Sequence, residues 1–315
     1  MKNDFKAERF FRSPAVRTLL ALLCCLLWGS AFPCVKTGYE LLHITDTGGQ
    51  LLFAGYRFVL AGVFTFLAGC LTEKKRMLPR RESVPAVAGQ AVLQTALQYV
   101  FFYIGMAHTT GIKGSVINSS DVFFAIFAAH FLIRGEKINL QKVTGCVIGF
   151  AGVISVTFQP GAWGSGFTLL GDGMIILSSV MYGVSSVTLK LITGREEPMC
   201  ITAWQLFLGG LILTAAGFLA GGHISGFTLS SVLLLIYMAL LSAVAFSLWT
   251  LLLKYNPVGQ VAVFGFSIPV FGSLLSALIL GEQLVSVQNF IALILVSIGI
   301  LTVNGVLHLS RKIRE

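Results

Sequence analysis

The stretch LIRGEKINLQKVTGCVIGFAGVISV at residues 132–156 returns at residues 278–303 as LILGEQLVSVQNFIALILVSIGILTV, with one residue of slippage. Each copy reads as the end of one apolar helix, a Gly-Glu pair (Gly135-Glu136, then Gly281-Glu282), and a second apolar helix closing on GVISV or GILTV. Self-similarity over such a separation marks a unit that occurs twice. Because the unit is almost wholly apolar, it implies two sets of membrane-spanning helices with a site between them, the build of a carrier.

Composition agrees. Of 315 residues, 56% are hydrophobic and 11% charged, with a mean hydropathy of +0.86, too few charges to cover a soluble globule of this size. Apolar runs near the roughly 20 residues that cross a bilayer are expected at 15–35, 49–71, 84–106, 112–133, 140–158, 168–190, 199–220, 227–250, 257–280 and 286–308. The first follows a basic stretch, as a signal peptide would, but its apolar run is long and lacks an A-x-A cleavage site, so it reads as a retained span. The expectation is an all-α integral membrane protein of ten transmembrane helices. Its parts are an N-terminal segment 1–14, a five-helix repeat 15–158, a second five-helix repeat 168–308 and a tail 309–315. Cys24, Cys25, Cys34, Cys70, Cys146 and Cys200 lie in or beside apolar segments without metal-ligand spacing; they read as small buried hydrophobes, and no metal or other cofactor is expected.

The net charge of +9 says less than its placement, so it does not argue for a nucleic-acid partner. Alternate connections of a ten-span chain collect 19 of the 22 Lys and Arg on one side; Lys36 and Lys113 fall on the other, and Arg57 lies within a span. That asymmetry puts both termini in the cytoplasm and the chain in the plasma or inner membrane. Gly135-Glu136 then closes the fourth span on the cytoplasmic face and Gly281-Glu282 the ninth on the outer face, so the repeats are inverted. Weaker echoes fit this pairing: LLWGSAFPCVK with VMYGVSSVTLK, and Arg57 and Gly62 with Gln205 and Gly210.

Ten spans in two inverted halves, the W-G-S-x-F of Trp28 to Phe32 and the repeated L-x-x-G-E before the fifth and tenth spans together resemble the EamA family of the drug/metabolite transporter superfamily. The resemblance covers essentially the whole chain. It implies export or exchange of small metabolites, often amino acids, through a central cavity between the halves. The chain departs from close internal symmetry in one place: Pro269 stands twelve residues before Gly281, and Phe123 occupies the matching position of the first half. The fourth span is therefore expected to be straighter than the ninth.

Function should rest on ionisable groups far from the membrane edges. Asp121 is eight or nine residues into the fourth span, roughly 12–14 Å deep at the helical rise, and Arg57 is about as far into the second. Such groups avoid lipid and mark sites. Two readings stand: they bind the charged ends of a solute, or they form an ion pair that locks two helices. Gln90, Gln94 and Gln98 recur every four residues beside Tyr99 and Tyr103, and Asn118 shares a face with Asp121; Ser178, Tyr182, Ser185 and Ser186 make a polar face on the sixth span. The serines also suit back-bonding or close helix packing. Trp28, Trp204, Trp249 and Phe264 are candidates for aromatic walls. The proposed solute contacts are Arg57, Asp121, Asn118, Gln94, Gln98, Tyr99, Tyr182, Ser186 and Trp28. Pro33 and Pro269 remove helix hydrogen bonds and suggest bends. Glu136 and Glu282, each beside a glycine at a helix end, suit turn and interface roles, and His130 suits packing.

No P-loop, H-E-x-x-H or G-x-S-x-G is present, which argues against direct ATP drive and against a membrane-embedded enzyme. A single arginine within the spans disfavours phosphorylated solutes. By resemblance, a small multidrug-type exporter of organic cations would carry a glutamate in its first span; residues 15–35 hold no acidic residue, which disfavours that alternative. One cationic and one anionic group at similar depth suit a zwitterion or a neutral polar metabolite such as an amino acid. The expected partners are that small molecule, the lipid bilayer and a coupling proton or counter-substrate.

Overall fold

The computed structural model describes residues 2–73, 77–109, 111–157, 168–280 and 287–303. Gly281, Glu282, Lys74, Lys75, Arg76 and the basic tail residues Arg311, Lys312 and Arg314 lie outside the described residues. Among the described residues every regular element is helical. A short helix α1 (Lys2–Arg12) precedes α2 (Pro14–Leu41), which opens on a proline where the missing N–H is no loss. Helix α3 (Thr47–Glu73) starts behind Asp46, whose Oδ1 accepts the Gly49 amide at 2.8 Å. Next come α4 (Val84–Gln90), a π-helical turn at Ala91–Leu97 and α5 (Gln98–Ala107), one helix with an interruption. Helices α6 (Gly111–Asn118) and α7 (Asp121–Leu132) form a second interrupted pair, and α8 (Leu140–Thr157) follows.

A π turn at Leu169–Gly173 opens α9 (Met174–Thr193), and α10 (Pro198–Leu219) leads to α11 (Leu229–Tyr255), whose first turn is held by a reciprocal Thr228–Ser231 capping box. Helix α12 (Val258–Ala262), a 3₁₀ turn at Val263–Phe266 and α13 (Ser267–Leu280) make another interrupted segment before α14 (Val287–Val303). Among the described residues, six stretches are long and apolar enough to cross a membrane: Pro14–Leu41, Thr47–Leu71, Leu169–Thr193, Pro198–Leu219, Leu229–Tyr255 and Val258–Leu280. The segments expected as spans at 84–106, 112–133, 140–158 and 286–308 are helical where described, but interrupted or no longer than 18 residues.

Apolar side chains fill the interior and also cover much of the surface. Leu71, Leu140, Leu219 and Leu229 face outward, while Arg57, Gln94, Ser178 and Gln205 are buried, the arrangement expected when the solvent is lipid. Small residues allow the tightest packing. On α3, Gly48, Gly55 and Gly62 recur every seven residues against α10; a Cβ on Gly62 would lie 2.7 Å from the Phe207 backbone, and one on Gly217 2.8 Å from Leu52. Partner numbers fall on one helix as they rise on the other, so α3 and α10 are antiparallel. Helix α8 crosses α14 in the same sense at Gly145, Gly149 and Gly299. The remaining pairings correspond between the two parts of the chain: α2 packs on α13 and α11, and α9 packs on α7 and α5. Gly29 lies against Phe271 and Gly272, and Gly183 against Phe124 and Ala125.

Helix α2 continues through Pro33. The fourth span, expected to be straighter than the ninth, is interrupted as the ninth is: it breaks at Ser119–Ser120, where the Asn118 carbonyl accepts the Ser179 hydroxyl at 3.1 Å. Phe123 and Pro269 each stand third in α7 and α13, in the first turn, where a proline is tolerated; the Phe123 amide donates to the Ser120 carbonyl at 3.0 Å.

Candidate functional site

Asp121 opens α7 and Ser267 opens α13, each fourteen residues before its Gly-Glu pair. The two interrupted helices therefore break at corresponding places. Broken helices at corresponding positions present helix ends and free backbone groups to a shared centre, which points to a binding site.

That centre is a cavity of about 40 Å³ lined by Trp28, Ala31, Phe32, Arg57, Gln98, Tyr99, Phe102, Asn118, Asp121, Tyr182 and Ile268. Seven of the nine residues proposed from sequence meet here. Arg57 is 1% and Asp121 4% exposed, so both charged groups are shut away from solvent. Arg57 Nε donates to Ser242 Oγ at 2.9 Å and a terminal nitrogen donates to the Tyr103 hydroxyl at 3.2 Å. Its guanidinium carbon lies 4.8 Å from the Phe58 ring centre and 5.8 Å from that of Tyr99. All these partners are neutral. No ion pair joins Arg57 to Asp121 among the described residues, and the reading of the two as a helix lock is thereby corrected. The carboxylate points toward Gly265, where an added Cβ would lie 3.5 Å from Oδ1.

Polar atoms on the cavity wall also lack partners. Trp28 Nε1, the Tyr182 hydroxyl and Gln98 Oε1 are buried and unbonded. Trp28 and Tyr182, echoed positions of the two halves, meet edge-on with ring centres 6.1 Å apart, and Trp249 and Phe246 back Trp28 at 4.9 and 5.5 Å.

Gln94 and Ser186 do not line the cavity. Gln94 Oε1 accepts from Gln90 Nε2 at 2.6 Å, and Gln90 is tied to α9 through the Ser185 carbonyl and the Thr188 hydroxyl. The Ser186 hydroxyl back-bonds to the Tyr182 carbonyl at 3.0 Å. Of the other aromatic candidates, Trp204 donates to the Met77 carbonyl away from the cavity. Sequence reasoning missed Phe32, Phe102, Ala31 and Ile268 as wall residues. Phe32 sits in the W-G-S-x-F motif and Phe102 one turn after Gln98, whereas nothing singled out Ser242.

Beyond the cavity, side chains tie the helix ends together among the described residues. At one, Glu136 accepts the Val258 and Gly259 amides at 3.0 and 3.3 Å, capping the start of α12, and lies 4.0 Å from Lys190 Nζ. Lys190 bonds the Leu253 and Asn256 carbonyls, and Arg17 bonds Gln260 at 2.7 Å. His130 Nδ1 accepts the Ile138 amide at 3.1 Å and shapes the same loop. At the other end, Lys36 Nζ donates to the Thr109 carbonyl at 3.1 Å and the Tyr39 hydroxyl to the Tyr103 carbonyl at 3.2 Å.

The sequence profile of the EamA-like transporter family matches this chain twice, over residues 17–158 and 169–305. An uncharacterized transporter of Archaeoglobus fulgidus is 26% identical over 93% of this chain and 97% of its own length. A probable amino-acid metabolite efflux pump of Escherichia coli is 24% identical over 90% of this chain and 92% of its own. A riboflavin transporter of Rhizobium johnstonii is 29% identical over 64% of this chain and 66% of its own. A crystal structure that shares 18% identity superimposes with a TM-score of 0.75 over 96% of this chain and all of the other, a likeness of fold. With both parts of the chain matched and an apolar, helical architecture around a central cavity, the protein is a multi-pass membrane transporter and belongs to the EamA-like transporter family.

Proposed function

We propose that the protein is a secondary carrier that exports or exchanges small zwitterionic metabolites, amino acids with an apolar body above all. It works by alternating access between two inverted five-helix repeats in the cell membrane, with both termini in the cytoplasm. One observation carries the reading: a buried guanidinium and a buried carboxylate face the same cavity without pairing. A carboxylate at mid-membrane costs about 2.5–3.5 kcal/mol on insertion scales, and a solute ammonium group would offset that cost as the solute carboxylate meets Arg57. The walls supplied by Trp28, Phe32, Tyr99, Phe102 and Tyr182 suit an apolar or aromatic body, and their unbonded donors suit its polar edge.

A cavity of about 40 Å³ holds a few waters rather than a metabolite. The described cavity is thus too contracted for the solute, and solute entry needs the halves to part. The antiparallel α3–α10 and α8–α14 pairs and the corresponding α2–α13 and α9–α7 contacts support an inverted repeat that can do this. An organic cation is the poorer solute, because Arg57 shares the cavity with Asp121.

The test is counterflow in proteoliposomes, with and without an imposed pH gradient, using an amino acid, its decarboxylated amine and its deaminated acid. The zwitterion should be taken up and the other two should compete poorly. Preference for the amine would move the reading to cation efflux. A change in rate or accumulation with the pH gradient identifies proton coupling, and its absence leaves exchange.

A further inference from the structure

Gln205, in α10, is 0% exposed, and among the described residues neither its amide oxygen nor its amide nitrogen has a hydrogen-bond partner. Buried amides are almost always satisfied, because an unmet one costs stability. Its surroundings can be read from its helix. Thr202, Gln205 and Gly209 share one stripe at i, i+3 and i+7. The Thr202 hydroxyl meets that of Thr250 in α11 at 3.0 Å, and a Cβ on Gly209 would lie 2.9 Å from the Ala91 carbonyl and 2.6 Å from Thr95 Cγ2 in the π turn. Gln205 therefore lies between α11 and the π turn. That turn carries two more buried, unpartnered groups, Gln94 Nε2 and Thr95 Oγ1, each on a residue 0% exposed.

These groups are not part of the central cavity but lie beside it along the chain. Gln98, whose Oε1 is unbonded on the cavity wall, is one turn from Gln94 on the same helix. Along the antiparallel α3–α10 pair, Gly62 faces Phe207 and Gly210 faces Val59, so Gln205 lies about seven residues, roughly 10 Å, from Arg57, toward the end where α10 begins at Pro198. On the orientation proposed above that is the cytoplasmic direction. The position is also the echo of Arg57 in the second half.

We propose that Gln205, Gln94 and Thr95 form a second, inner station on the solute path, uncharged and able both to donate and to accept hydrogen bonds. It receives the polar end of the solute when the halves part on the cytoplasmic side and passes it by way of Gln98 to Arg57 and Asp121. The π turn places the station: its wider winding keeps Gln94 and Thr95 out of regular helical register, a distortion that recurs at functional sites. This assignment rests on the carrier reading, and its test is arranged so that the two can fail separately.

Gln205→Leu keeps the volume close and removes the unmet amide. If the amide serves only packing, the variant should melt in detergent at the same or a higher temperature and export a pool of radiolabelled neutral L-amino acids from preloaded proteoliposomes at the wild-type rate, which would overturn the proposal. The inner station instead requires an unchanged or raised melting temperature together with a loss of flux of about tenfold or more. A second arm needs no solute. In a chain whose native cysteines are replaced, Gln205→Cys should react with a membrane-impermeant methanethiosulfonate applied from the cytoplasmic side, and Asn118→Cys from either side. Reaction at Asn118→Cys from both sides with none at Gln205→Cys would remove the inner station and leave the carrier; reaction at neither would remove both.

Discussion

The Arg57 guanidinium gives two donors to the hydroxyls of Ser242 and Tyr103 and lies over the rings of Phe58 and Tyr99. These partners fix where the side chain points and leave its charge unneutralised. A hydrogen bond to a charged group is worth about 1.5–3 kcal/mol, so Tyr103→Phe should weaken the hold on Arg57 and lower flux at low solute by roughly ten- to a hundredfold, with the protein still folded. Proteoliposome uptake beside a detergent melting curve checks this; wild-type flux would show that Ser242 and the rings suffice. Asp121 and Arg57 were legible in the sequence because a charge inside an apolar run stands out whatever the fold. Their failure to pair was not, since similar depth on two helices says nothing of which way either side chain turns. Ser186 went astray for the same reason: a polar stripe identifies a buried face, and a hydroxyl can spend itself on its own helix at the Tyr182 carbonyl.

At the scale of the helix, the interruptions do the positioning. The break at Ser119–Ser120 puts Asp121 in the first turn of α7, where the helix dipole favours a negative charge, and the 3₁₀ turn at Val263–Phe266 brings Gly265 to face its carboxylate. Apolar run length located the helices and hid these breaks, because each half continues the same hydrophobic stretch. The Asn118-Ser119-Ser120 run carried the signal in the fourth span, whereas nothing in Ala91–Leu97 announced a π turn. The glycines were plainer. Gly62 meets the backbone of Phe207, which cannot give way as a side chain can, and overpacking costs typically about 1–3 kcal/mol. Gly62→Leu should therefore lower the melting temperature and the yield of folded protein, and a variant as stable as wild type would show that α3 and α10 are not held by this contact.

For the molecule as a whole, the duplication was readable in LIRGEK and LILGEQ, and the family profile matches the chain in two parts accordingly. The cavity's place at paired helix breaks was not, because it depends on how residues of α2, α3, α5, the α6–α7 pair, α9 and α13 meet. The orientation drawn from the basic residues makes its own forecast: an impermeant thiol reagent added to intact cells should reach Ser225→Cys, in the exposed turn between α10 and α11, and leave Arg195→Cys untouched. The opposite pattern would invert the chain in the membrane. The central claim is that Arg57 and Asp121 hold the two charged ends of one solute. It is tested most directly by counterflow of neutral L-amino acids in proteoliposomes carrying wild type, Arg57→Gln, Asp121→Asn or the double variant, each matched for folded protein. The account predicts accumulation with wild type and loss of more than about tenfold in flux in all three variants, the double variant included; wild-type flux in the double variant would contradict it.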